Sequence, residues 1–168
     1  MNRIENRTFD ELKVGDTASL TRTLTYEDIE LFAIMSGDVN PVHVDEAFAR
    51  NAMFHKVIAH GMWGGALIST VLGTQLPGPG AIYLGQSLRF RHPVGLGDTV
   101  TVTVKVTEKN AEKRRVTLEC QVTNQRGEVV ISGTAEVIAP TEKISRERVI
   151  LPRVKLLRAR RRGRPGLR

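Results

Sequence analysis

The chain has 168 residues, 40% hydrophobic and only 5% aromatic, which suits one domain with a proper core. Its formal net charge of +7 is uneven: residues 141–168 hold 11 Lys/Arg and 2 Asp/Glu, a net of +9, and residues 1–140 hold 14 Lys/Arg and 16 Asp/Glu, a net of −2. The basic pI is therefore no sign of a nucleic-acid-binding body, and the single cysteine excludes an internal disulfide and suits a reducing, cytoplasmic setting.

Residues 1–16 mix charges of both signs, unlike a secretory signal. Residues 17–24 alternate through Ala18, Leu20 and Leu24, which predicts a first strand. Thr25 is placed to cap a helix with Glu27 and Asp28 in its first turn, where carboxylates suit the helix dipole. Ile29, Phe32 and Ala33 give that helix an apolar stripe, and Gly37 ends it. Asp45 caps a second short helix reaching Arg50.

From residue 61 the character changes. Residues 61–75 contain no charge, and a helix apolar on every side is a buried one. Its apolar part ends near Leu76, short of the roughly 20 residues that cross a bilayer, and a Pro-Gly-Pro-Gly turn follows. The period then becomes two. Ile82, Leu84, Leu88 and Phe90 fall on one face; Val100 to Val106, then Val116 to Val122, then Val129 to Val137 supply three more strands. Cys120 reads as a core residue of the second of these. Long antiparallel strands with one apolar face need an apolar cover, and the uncharged helix is the candidate. The expected fold class is α+β, a hot-dog: one long buried helix wrapped by a curved antiparallel sheet.

The chemistry concentrates in residues 36–43, Ser-Gly-Asp-Val-Asn-Pro-Val-His. Asp38 follows a glycine and Asn40 precedes a proline, so the segment is expected to be an ordered loop rather than regular structure. On a helix, residues five apart point about 140° apart; on a loop, Asp38 and His43 can close on one water. Asn40 is placed to hold the loop through its side chain. Asp-x-Asn-Pro alone is an ordinary turn and a lone histidine is often structural, so the reading rests on the flanks as well.

Those flanks resemble a family. Residues 32–43, His60-Gly61-Met62 and residues 83–90 (Tyr-Leu-Gly-Gln-Ser-Leu-Arg-Phe) resemble the MaoC-like, (R)-specific enoyl-CoA hydratases, and the likeness covers about residues 10–138. The resemblance implies reversible hydration of trans-2-enoyl-CoA to (R)-3-hydroxyacyl-CoA in fatty-acid metabolism, by a homodimer without a cofactor or metal. It implies that Asp38 and His43 bind the catalytic water, with Asp38 the base and His43 the proton donor, or the reverse. It also implies Gly61 as the backbone donor to the thioester oxygen, and Ser69 as a residue lining the acyl pocket. Leu72, with Met53, Phe54 and Trp63, is a candidate for setting the pocket's depth. Arg89, with Arg91, is a candidate for the CoA phosphates or an ordinary solvated face.

His55, His60 and His92 read as structural, and their spacing suggests no metal site. The expected boundary falls at residue 140, with a hydratase domain before it and a basic, disordered tail over residues 141–168. Residues 139–144 resemble the linker to a phosphate acetyltransferase domain in bifunctional proteins, a domain that does not follow in this sequence. Rival readings are a dehydratase acting on carrier-protein thioesters, a thioesterase, a non-catalytic acyl-CoA-binding subunit, and a nucleic-acid-binding protein working through the tail, which the tail alone supports weakly.

Overall fold

The structure is a computed structural model that describes residues 3–157. Its elements in chain order are β1 (Arg3–Glu5), β2 (Thr17–Thr23), α1 (Tyr26–Ser36), α2 (Pro41–Val44), α3 (Glu46–Asn51), α4 (Gly61–Thr74), β3 (Ile82–Phe90), β4 (Thr99–Asn110), β5 (Arg115–Asn124), β6 (Val129–Ile138) and β7 (Ser145–Glu147).

Five strands form one antiparallel sheet in the order β2-β4-β5-β6-β3. The alternation seen in the sequence is the burial pattern: Val100, Val102, Val104 and Val106 of β4 face inward and are fully buried, as are Val116, Leu118 and Cys120 of β5. Helix α4 lays Ile68, Val71 and Leu72 on that surface. The chain therefore has the hot-dog architecture. Each aliphatic side chain so removed from water contributes about 1.5–3 kcal/mol. Ile131 of β6 shows how close the layers lie: a Cβ on Gly64 would stand 2.3 Å from its Cδ1.

Two features depart from the sequence reading. Leu88 of β3 packs half-buried against the core, but the other apolar residues of its predicted face are exposed rather than covered, with Ile82 at 55%, Leu84 at 42% and Phe90 at 53% exposure. Among the described residues β3 is the last strand of the sheet and pairs only with β6, on one side. Period two shows which residues share a face; whether anything covers that face is decided by a strand's place in the sheet.

Residues beyond 140 are packed where a tail was expected. β7 pairs with β1, and buried Asn6 donates from Nδ2 to the Glu142 carbonyl at 2.8 Å while its Oδ1 accepts from the Ile144 N–H at 3.0 Å. Lys143 Nζ donates to the Asn6 carbonyl at 2.7 Å. Packed structure thus continues to Glu147. The arginine run from residue 158 lies outside the described residues. Among the described residues no helix is long and apolar enough to cross a membrane.

Candidate active site

The site begins where α1 ends. Thr25 and Asp28 form a capping box, each side chain accepting from the other's N–H at 3.1 Å, which sets the start of α1. At the other end Gly37 takes the left-handed conformation, φ 77°, and donates its N–H to Ala33 O at 2.8 Å. Glycine reaches that region without the Cβ clash, so the chain turns out of the helix there. Asp38 comes next. Its Oδ1 accepts from the Asn40 N–H at 3.1 Å, which orients the carboxylate.

The expected loop is only partly irregular. Asn40 caps α2 through its side chain, and Pro41 occupies the first helical position. Proline's fixed φ suits that position and its missing N–H costs nothing there, so Asn-Pro starts a helical turn and His43 rides on it, buried.

His43 Nδ1 lies 2.8 Å from the Ile58 carbonyl oxygen. A carbonyl only accepts, so Nδ1 carries the hydrogen and Nε2 is the nitrogen left to exchange a proton. His60, the residue before α4, stacks on His43 with ring centroids 4.0 Å apart and on Phe32 at 4.8 Å. By the same argument its Nε2 donates to the Asp38 backbone carbonyl at 3.0 Å. Its Nδ1 is buried with no hydrogen-bond partner among the described residues.

An Asp38 carboxylate oxygen and one ring nitrogen from each histidine lie within 4.8 Å of one another. One water spans such a gap with two hydrogen bonds of about 2.8 Å. The trio also offers metal-type donors, which the histidine spacing in the sequence did not reveal. Tetrahedral zinc, with bonds of about 2.1 Å, holds its ligands roughly 3.4 Å apart, so this set is wide for such an ion.

His43 and His60 border an apolar cavity of about 280 Å³, lined among others by Phe54, Gly61, Trp63, Phe90 and His92. α4 starts at its wall with Gly61, and among the described residues no side chain caps that end. The first-turn N–H groups, together with the helix dipole, favour negative charge at this spot. A Cβ on residue 61 would stand 2.9 Å from the Phe90 ring, so glycine is what allows the ring to close in.

Pro93 and Val94 complete the wall, and Asp98 braces the turn that follows them. Its Oδ2 accepts from the Gly95 N–H at 2.8 Å and its Oδ1 from Gln125 Nε2 at 2.7 Å. Burial acts to raise the Asp98 pKa, but these hydrogen bonds and the nearby Lys56 and Arg126 charges outweigh it and hold the carboxyl below its ordinary value.

The remaining candidates are dispersed. Ser69 lines a second cavity of about 350 Å³ with Phe32, Met62, Tyr83 and Leu88. Leu72 is buried in the core and lines neither cavity. Arg89 is exposed and also lines neither, whereas Arg91 borders the first cavity and donates from Nε to Ser132 Oγ at 2.9 Å. Burial pushes the Cys120 thiol up to about 11, so it stays protonated at neutral pH and is no nucleophile. Sequence reasoning missed His60 as part of the site. Its position before the first glycine of an uncharged helix was visible, but its contact with Asp38 depends on how α1 and α4 meet.

A family model described as MaoC like domain matches residues 12–127. The chain belongs to the MaoC-like family. Among curated MaoC-like relatives, it is 52% identical over 132 residues to an (R)-specific enoyl-CoA hydratase of Rhodospirillum rubrum, covering 79% of this chain and 91% of that protein. It is 45% identical over 135 residues to a 3-hydroxybutyryl-CoA dehydratase of Methylorubrum extorquens, covering 80% and 85%. An unliganded R-hydratase structure from Pseudomonas aeruginosa superposes with TM-score 0.88 at 48% identity, covering 92% of this chain and 99% of that one. That share is more of the chain than residues 1–140 make up, in keeping with the packing of β7.

Proposed function

We propose that this MaoC-like protein is an enzyme, an enoyl-CoA hydratase that adds water reversibly to trans-2-enoyl-CoA and gives (R)-3-hydroxyacyl-CoA. The observation that carries the reading is the convergence of the Asp38 carboxylate on a ring nitrogen of His43, which itself lines an apolar cavity whose wall includes the start of α4. The likeness to relatives named for this activity supports it.

The chemistry is as follows. Water attacks the β-carbon of the conjugated thioester while Asp38 takes one of its protons. A positioned base is worth about 10²–10⁴-fold in rate. His43, protonated on both nitrogens, delivers the Nε2 proton to the α-carbon, with the Ile58 carbonyl holding the Nδ1 hydrogen and the ring's orientation. Negative charge gathers on the thioester oxygen as the β-carbon is attacked, and the Gly61 N–H at the start of α4 receives it. A proton passing from Asp38 to His43 restores the starting state. The two groups act on one water.

The working unit is a homodimer. The free edge of β3 carries Ile82, Leu84 and Phe90, and an exposed apolar edge strand is an open template for pairing with a second copy. The second cavity, with Ser69, opens beside that strand and α4. Pairing across β3 encloses it and gives the acyl chain a wall from each subunit. The free, buried Cys120 suits a reducing cytoplasm.

Incubation with crotonyl-CoA, followed by loss of the enoyl-thioester absorbance, tests the reading. Steady hydration is expected. A folded protein that leaves crotonyl-CoA untouched contradicts it.

A further inference from the structure

The stretch after β7 is unlike the rest of the surface. Val149, Ile150 and Leu151 stand 78%, 88% and 79% exposed in succession, and Leu157 is 82% exposed. Arg148, Arg153 and Lys155, all exposed, interleave with them. The segment is held at both ends. β7 pairs with β1 at one end, and at the other half-buried Leu156 shares an apolar groove with Tyr26, Ala33, Ile34 and Val44 on α1 and α2. Between these anchors the chain displays aliphatic side chains that no described neighbour covers.

We propose that residues 148–157 form a docking segment for an anionic lipid surface. Aliphatic side chains gain by leaving water for the acyl boundary, and cations gain from the negative potential of acidic headgroups; stable attachment needs both signals together. Both occur here in one short stretch, with Arg148, Arg153 and Lys155 set among Val149, Ile150 and Leu151. A nucleic acid uses only half of this. It rewards the cations but offers nothing to Val149, Ile150 and Leu151, and residues 141–168 contain no aromatic side chain to stack on bases. The location is also apt. The segment lies on the α1 side of the body, and neither the catalytic pair nor its cavity includes any of it.

The test uses the full chain and two kinds of vesicle, one of phosphatidylcholine mixed with phosphatidylglycerol and one of phosphatidylcholine alone, read by co-sedimentation. The chain is expected to bind the anionic vesicles, to ignore the neutral ones, and to be released by salt. The triple variant Val149→Ser, Ile150→Ser, Leu151→Ser should lose at least about tenfold in vesicle affinity. A second variant, Arg153→Glu with Lys155→Glu, should lose binding by reversing charge at the same place. Both substitute exposed residues, and circular dichroism with thermal unfolding verifies that each folds. No binding to anionic vesicles overturns the proposal. So does undiminished binding by the triple variant, or apolar residues that prove to be covered by a second copy of the chain in solution. Preference for an oligonucleotide over the vesicles, unaffected by the triple substitution, also overturns it and assigns the segment to a nucleic acid.

Discussion

His60 Nε2 donates to the backbone carbonyl of Asp38 at 3.0 Å while the His60 ring lies 4.0 Å from that of His43. One side chain at the start of α4 therefore fixes both the loop that carries the acid and the turn that carries the imidazole. The central helix is the reference from which the pair is positioned, which links the packing of α4 on the sheet directly to the chemistry.

That contact makes His60→Phe informative. Phenylalanine keeps the ring stacked between Phe32 and His43 but cannot hold the Asp38 carbonyl. Hydration should fall at least about tenfold, mainly in kcat, because a small misplacement of reacting groups is enough for that. Thermal unfolding should change little, since the buried and unpartnered Nδ1 disappears as well. Unaltered kcat in the folded variant would show that the loop holds its position without His60.

Asp38→Ala and His43→Ala should each fold and each lose most of the hydration rate, about 10²–10⁴-fold. The double variant should be scarcely worse than the poorer single one, because groups that act on one water are not additive. Rates that multiply in the double variant would mean that the two residues act independently.

Asp98 offers a pH-dependent reading. Its folded pKa lies below the ordinary value, so ionised Asp98 stabilises the fold at pH values above the unfolded carboxylate pKa of about 3.9. That contribution disappears as pH falls through the lower folded value. Asp98→Ala should therefore cost about 1–3 kcal/mol at neutral pH, and the difference from the parent should shrink in strong acid. Denaturant melts across pH check it; a gap that stays constant with pH would assign the loss to packing alone.

Much of the fold was legible because burial and sequence period coincide. Val100 to Val106 alternate with polar residues and are the inward face of β4, and the uncharged run from Gly61 is the covering helix. Residues that meet through tertiary geometry were not legible. Asn40-Pro41 read as a breaker because both residues favour turns, yet the same pair is a cap and first position of a helix. β7 is Ser-Arg-Glu, too short and too polar to show any period, and its pairing depends on Asn6 more than a hundred residues away. Asp38 and His43 were visible as chemistry; His60 was visible only as a residue.

Asn6 tests the packing beyond residue 140. Asn6→Ala leaves the Glu142 carbonyl and the Ile144 N–H without their partner, and should cost about 1–3 kcal/mol. A chain ending at Pro140 should be destabilised at least as much, seen as a lower thermal midpoint. An unchanged midpoint in the shortened chain would restore the boundary at residue 140.

The most direct test of the central claim is the hand of the product. The parent protein is incubated with crotonyl-CoA, and the 3-hydroxybutyryl-CoA formed is resolved on a chiral phase. The account predicts the (R) product, formed by water delivered from the Asp38–His43 side of the bound enoyl chain. Mainly (S) product, or a racemic mixture made at an enzymatic rate, would contradict it.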